Sequence, residues 1–118
     1  MLKLSHKKLD VWKLAIKFVS TIYRITNNYP KDELFGLISQ TRRASVSISS
    51  NIAEGSARKS LIERKRFYEI SRASLVEVDS HLEIAKELEF INEQYFDELD
   101  RDINELFAKL SNLILKAK

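Results

Sequence analysis

Two glycines and one proline are all the punctuation that 118 residues carry, and this scarcity limits what the chain can fold into. Hairpins draw on glycine, asparagine and proline at their corners, so a many-stranded sheet has too few places here to turn. Long helices need almost none of these residues. An apolar fraction of 44% suffices for a core, and 31% charged residues suit a wet surface. A chain of this length reads as one domain that buries roughly two-thirds of its unfolded surface.

Four helical stretches emerge from the spacing of apolar residues. The first runs from about Asp10, read as its N-cap, to Asn27 and Asn28. From Val11 to Ile25 its apolar residues cover about 200° of circumference, where a helix facing one core needs little more than 100°. The excess edge is Trp12, Ile16, Val19 and Tyr23, spaced i, i+4, i+7 and i+11. A bundle of four helices has no central position that hides such an edge, so another subunit is expected to cover it.

Pro30, Asp32 and Glu33 mark the entry to the second helix. Its inward stripe is Leu34, Leu37, Ile38, Thr41, Ala44, Ser45, Ile48 and Ile52, with small residues that let a neighbour come close. Arg42 lies in an apolar arc with Phe35, Val46 and Ala53, and a guanidinium there requires a partner. Gly55 reads as the stop signal. Ser60-Leu61-Ile62-Glu63 is a capping box that opens the third helix. That helix turns Phe67, Ile70, Ser71, Ser74, Leu75, Val78, Leu82, Ala85 and Leu88 inward. Asn92 can cap the fourth, where Leu99, Ile103, Leu106, Leu110, Leu113 and Ala117 repeat at coiled-coil spacing and Phe96 and Phe107 widen the stripe. Connections of roughly four to seven residues make consecutive helices antiparallel. The expected fold is all-α: an up-down-up-down, left-handed, antiparallel four-helix bundle over residues 9–118, behind a flexible tail of residues 1–8.

Composition narrows the chemistry. Without cysteine there is no disulfide, no thiolate nucleophile and no thiolate metal site. A di-metal centre in a bundle needs inward Glu-x-x-His pairs, and none exists. His81 falls within the core arc of the third helix with Glu77 one turn back, which reads as a hydrogen-bonded structural histidine. Two glycines cannot assemble a phosphate-binding loop or a dinucleotide fingerprint. No catalytic residue, metal or cofactor is expected. The first residues lack the apolar run of a signal peptide, and no stretch approaches the ~18 apolar residues of a membrane helix, so a cytoplasmic protein is expected.

The net charge of +3 hides an asymmetry. Residues 1–76 hold 15 Lys/Arg against 6 Asp/Glu, a balance of +9; residues 77–118 hold 5 against 11, a balance of −6. Either the two halves attract across the seams of the bundle, or a basic face is offered to nucleic acid. Arg43, Arg58, Lys59, Arg64, Lys65 and Arg72, with Arg42 and Arg66, cluster around the turn joining the second and third helices. Such a patch neutralises several phosphates, unless its arginines are spent on Glu54, Glu63, Glu69 or acids of the fourth helix. Tyr68, if exposed, adds a stacking surface.

The segment Arg42-Arg43 … Asn51-Ile52-Ala53-Glu54-Gly55-Ser56-Ala57-Arg58 carries a resemblance, with Leu9-Asp10-Val11-Trp12-Lys13 and Tyr29-Pro30-Lys31-Asp32-Glu33 upstream. It resembles the bacterial four-helix-bundle proteins encoded within intervening sequences of 23S ribosomal RNA genes, over roughly Leu9 to Ile91. Motif positions Arg42, Asn51, Glu54 and Gly55 are then expected at a subunit interface or at the turn. The resemblance implies a homopentamer, in which Arg42 could meet a carboxylate of the next subunit. It also implies kinship of shape with the basic accessory proteins of diversity-generating retroelements, which bind nucleic acid and a reverse transcriptase. RNA is the favoured partner, and a protein scaffold without nucleic acid is the alternative. The chain departs from the family pattern at Ser49, where proline is common, and at Glu89, where glycine is usual.

Overall fold

The apolar spacing from Val11 to Ile25 folds as α1, Asp10–Thr26, in the computed structural model, which describes residues 1–117. Position 118, the last of the expected domain, lies outside the described residues. Leu9 rather than Asp10 is the N-cap, and it makes no side-chain capping bond. Asp10 sits one residue further in, where its carboxylate meets the positive end of the helix dipole. Val11, Ala15, Phe18, Ile22 and Ile25 are buried.

The chain enters α2, Ser39–Ser56, through a 3-10 turn at Lys31–Glu33 and a π turn at Leu34–Ile38. Gly36 breaks the helix there, with φ −113° and ψ −110°, and the Glu33 carboxylate accepts a hydrogen bond from the Leu37 N–H at 3.2 Å. The break changes the expected stripe: Leu34 is half exposed and Phe35 is 91% exposed, whereas Ile38, Thr41, Ala44, Ser45, Ile48 and Ile52 are buried.

Small side chains on α2 bring α3, Leu61–Glu87, close against it. Ser71 Oγ donates to the Ile48 carbonyl at 2.7 Å, and the Ser47 and Ser74 hydroxyls meet at 2.9 Å. Buried hydroxyls thus find acceptors, which removes the penalty for placing them in a core. Ser60 caps α3 by accepting from the Glu63 N–H at 3.3 Å, as its sequence implies. On the inner face Leu75, Val78, Leu82 and Ala85 are buried, while Ile70 and Leu88 stay substantially exposed.

At the end of α3 the Ala85 carbonyl accepts from the Phe90 N–H at 2.8 Å and the Lys86 carbonyl from the Glu89 N–H at 3.0 Å. This is a Schellman closure, whose left-handed residue is usually glycine. Glu89 occupies it at φ 61°. Asn92 then caps a 3-10 turn, Glu93–Tyr95, that leads into α4, Phe96–Lys116. Leu99, Leu106, Leu110 and Ile114 bury the face of α4, with Ile103 and Leu113 half-buried beside them. The four helices share one core, with α2 and α3 the most closely packed pair, in a body of 43 × 25 × 22 Å. None of the described helices is long and apolar enough to cross a membrane.

The N-terminal segment differs from a loose tail. Ser5–Lys8 form a 3-10 turn against α1 and α2, His6 is buried, and its ring lies edge-on to Trp12 at 5.1 Å.

Candidate nucleic-acid interface

The basic residues around the turn from α2 to α3 divide into those held by partners and those with none among the described residues. Arg58 pairs with Glu54, one helical turn back, at 3.1 Å and lies over the Phe67 ring at 4.9 Å. Arg64 donates from Nε and Nη2 to the Arg58 carbonyl at 3.2 and 2.8 Å, which closes the turn. Arg72 donates to Ser111 Oγ of α4 at 3.1 Å and sits over Phe107. Arg43, Lys59, Lys65 and Arg66 make no ion pair among the described residues, and all are exposed. Apart from Arg58, the arginines of this region are therefore held by neutral oxygens or by none. Hydrogen bonds to neutral groups position a guanidinium without cancelling its charge.

The charge asymmetry follows the same logic. One ion pair among the described residues joins the basic part of the chain to the acidic part, Arg24 with Glu98 at 3.4 Å, the arginine exposed and the glutamate partly so. An exposed pair of this kind is worth about 0–1 kcal/mol, so cross-seam attraction does little to hold the bundle together.

The motif residues divide by role. Arg42 finds its partners inside the chain: Nε donates to Thr26 Oγ1 at 2.9 Å, Nη2 to the Tyr23 carbonyl at 3.3 Å, and the guanidinium lies 4.5 Å over the Tyr23 ring. It caps the negative end of α1 with no carboxylate involved. Asn51 Nδ2 donates to the Ser47 carbonyl at 2.8 Å and to Ser47 Oγ at 2.9 Å, bracing the serine that meets Ser74. Gly55 stays helical rather than turning the chain: α2 runs past it to Ser56, and no glycine has positive φ. What it supplies is space. A Cβ on Gly55 would come within 2.8 Å of the Tyr68 ring and 3.0 Å of Phe67 Cβ. Tyr68 is consequently buried, with its hydroxyl 3.0 Å from Ser56 Oγ, and it presents no face for base stacking.

The wide apolar edge of α1 is partly covered within the chain. Trp12 and Val19 are half-buried, Trp12 beneath His6, while Ile16 and Tyr23 remain 44% and 43% exposed. Val46, one turn beyond Arg42 on α2, is exposed as well.

His81 lies 3.7 Å from Glu77, beyond hydrogen-bond distance, and its Nδ1 is buried without a partner, so the expected hydrogen bond is missing. No group of three or more His, Asp or Glu among the described residues is placed to hold a metal ion.

The residues that the sequence reading passed over are His6, in the presumed tail, and Ser56. Both line a cavity with Arg64 and Tyr68 at the foot of the patch. No local periodicity marks them, because the cavity forms between three separate elements.

An all-helical bundle with a cationic turn defines the class. The family model for the 23S rRNA-intervening sequence protein matches residues 7–112, and the chain belongs to that family. Among solved structures it is similar to a protein of unknown function from the S23 ribosomal protein family of Bacteroides thetaiotaomicron VPI-5482, with a TM-score of 0.78. The match has 22% identity and covers 88% of this chain and 97% of the other, a likeness of fold. No curated protein matches the chain.

Proposed function

We propose that the protein is a non-enzymatic, oligomeric helical bundle that binds nucleic acid, RNA in preference, through the basic surface around the α2–α3 turn. The observation that carries this reading is the lack of compensation there. Arg43, Lys59, Lys65 and Arg66 face solvent without an anionic partner among the described residues, and Arg64 and Arg72 are fixed by neutral oxygens. Counterions gathered by such a surface are released when a polyanion binds, which drives association without sequence readout. The family's name ties it to 23S ribosomal RNA genes, which agrees with RNA as the target class. The exposed strip of Ile16, Tyr23 and Val46 supports self-association, which would repeat the basic surface around a ring such as a pentamer and raise its avidity.

The test is binding of single-stranded RNA as salt is raised. Affinity should fall steeply between about 50 and 200 mM salt, by about 300-fold if six phosphates of a single strand are engaged. Replacing Lys59 and Lys65 with Ala should lower the slope of log affinity against log salt by about 1.4, since single strands release ~0.7 counterion per contact. The mass by light scattering should stay unchanged. Absence of RNA binding at low salt refutes the reading and leaves a protein scaffold, for which the same mass measurement on Ile16→Asp or Tyr23→Asp should show smaller assemblies.

A further inference from the structure

The cavities of this bundle differ in the sign of their walls. The groove between α3 and α4 is lined by Asp79, Glu83 and Asp100, with Lys86 opposite. The cleft between α1 and α4 sets Glu98 and Asp102 beside Arg24 and Arg101. A cavity of about 240 Å³ at the foot of the basic patch has no carboxylate at all. Its polar lining is Ser5, His6, Ser56, Arg64 and Tyr68, drawn from the N-terminal turn, α2 and α3.

These groups are prepared rather than incidental. Arg64 is held by two hydrogen bonds to the Arg58 carbonyl from Nε and Nη2, so its Nη1 edge is left to donate elsewhere. His6 is 7% exposed and fixed against Trp12, yet neither ring nitrogen is hydrogen-bonded among the described residues and neither is sealed from solvent. The Ser56 and Tyr68 hydroxyls bond each other at 3.0 Å and keep lone pairs and one proton free between them. An imidazole with unbonded nitrogens that reach solvent, on the lining that also holds a pre-set guanidinium, is placed to donate to an anion in the cavity.

We propose that this cavity binds a phosphomonoester, either the terminal phosphate of a nucleic-acid strand or that of a free nucleotide, with Arg64 and His6 as its donors and the hydroxyls of Ser5, Ser56 and Tyr68 around it. The proposal rests on the polyanion reading of the patch, because Arg64 serves both. A terminal phosphate carries up to two charges and three free oxygens, whereas an internal phosphodiester carries one charge and must run chain out on both sides. A cavity with room for roughly eight waters suits a phosphate with its sugar. Lys59 and Lys65, exposed on the turn and on the first turns of α3 that carry Arg64, continue the cationic surface, so a strand seated by its end would run along the patch.

The experiment compares one RNA oligonucleotide carrying a 5′-phosphate, a 3′-phosphate or hydroxyls at both ends, bound to the full chain at fixed salt. In parallel, adenosine monophosphate and adenosine are titrated while the His6 imidazole signals are followed by NMR. A phosphate-ended strand should bind about tenfold tighter than the hydroxyl-ended one, as expected for an added charge-assisted hydrogen bond. His6→Gln should erase that difference. Ser56→Ala, which leaves the N-terminal turn intact, should shrink it. If the nucleotide shifts His6 and adenosine does not, while no RNA binds, the pocket stands with a free nucleotide as ligand and the patch reading falls. Equal binding of all strands, with His6 silent to the nucleotide, overturns the pocket and leaves the patch. No response of either kind overturns both.

Discussion

The two ends of the bundle each bury a tyrosine beside the C-terminus of a helix, and they do it in opposite ways. At the basic end, Gly55 of α2 stays helical and opens a slot for Tyr68, whose hydroxyl is met by Ser56 at 3.0 Å. At the other end, Tyr29 packs on Phe90, its hydroxyl is buried without a partner, and the adjoining turn forces Glu89 to φ 61°. The glycine sits where the backbone is ordinary, and the glutamate where a glycine belongs. Strain often gathers at functional sites. Here it lies away from the cationic turn, whose buried tyrosine has its hydroxyl satisfied and its ring closely fitted. The lesson is that the basic end is built for order and the far end tolerates disrepair.

The largest effect should come from closing the slot. Gly55→Ala places a methyl 2.8–2.9 Å from the ring carbons of Tyr68, a buried ring that its Ser56 bond holds in place. Overpacking of this kind costs about 1–3 kcal/mol and outweighs the helix propensity that alanine adds. Urea unfolding should show the midpoint falling with an unchanged slope. If alanine instead stabilised the protein, Tyr68 would not need the space that the missing Cβ leaves, and the contrast between the ends would vanish.

How far the sequence reveals this architecture depends on the range of the cause. Features set within one helix are legible: the stripes of α1 and α4, the Ser60 cap on Glu63, and the serines by which α3 approaches α2. Arg42 was legible as a charge in need of a partner, but not as a cap on α1, because Thr26 and Tyr23 meet it only once the first two helices fold together. Gly55 misleads for the same reason. Its local signal is a helix stop, while its work is set by a ring 13 positions on. Tyr68 lies at the flank of its helix's core arc, and only the missing Cβ on α2 carries it from that edge into the interior. His6 has no periodic signal at all, since one 3-10 turn and an edge-on contact with Trp12 decide its burial.

The second effect concerns the unmatched hydroxyl. Burial pushes the Tyr29 phenol up to about 12 from its ordinary value of 10.0. The folded protein therefore keeps this proton after the unfolded chain has lost it. The contribution is whole below about pH 10 and is lost as pH rises toward 12, where two units amount to about 2–3 kcal/mol. Tyr29→Phe removes the ionisation and the orphaned polar atom together. At pH 7 it should be neutral or stabilise by up to ~1 kcal/mol, and its advantage over the wild type should widen toward pH 12. Tyr68→Phe should run the other way at pH 7, with a loss of about 1 kcal/mol, because that hydroxyl has a partner. Equal behaviour of the two variants would mean that the ends are alike.

The smallest effect is the repair of the turn after α3. A left-handed conformation costs a residue with a Cβ roughly 1–2 kcal/mol, and Glu89 also sets a negative charge near the negative end of the α3 dipole. Glu89→Gly removes both penalties but frees the unfolded chain, which returns about 0.4–1 kcal/mol to the other side. The net gain should be about 1 kcal/mol, read as a higher urea midpoint. Glu89→Lys keeps the Cβ and reverses only the charge, so it should recover a few tenths of a kcal/mol. If Lys matched Gly, the penalty at this end would be electrostatic and the left-handed backbone would cost little. If Gly alone restored stability, the strain lies in the Schellman closure through Ala85 and Phe90. RNA affinity should be the same in both variants, since Glu89 stands at the end of α3 away from the cationic turn.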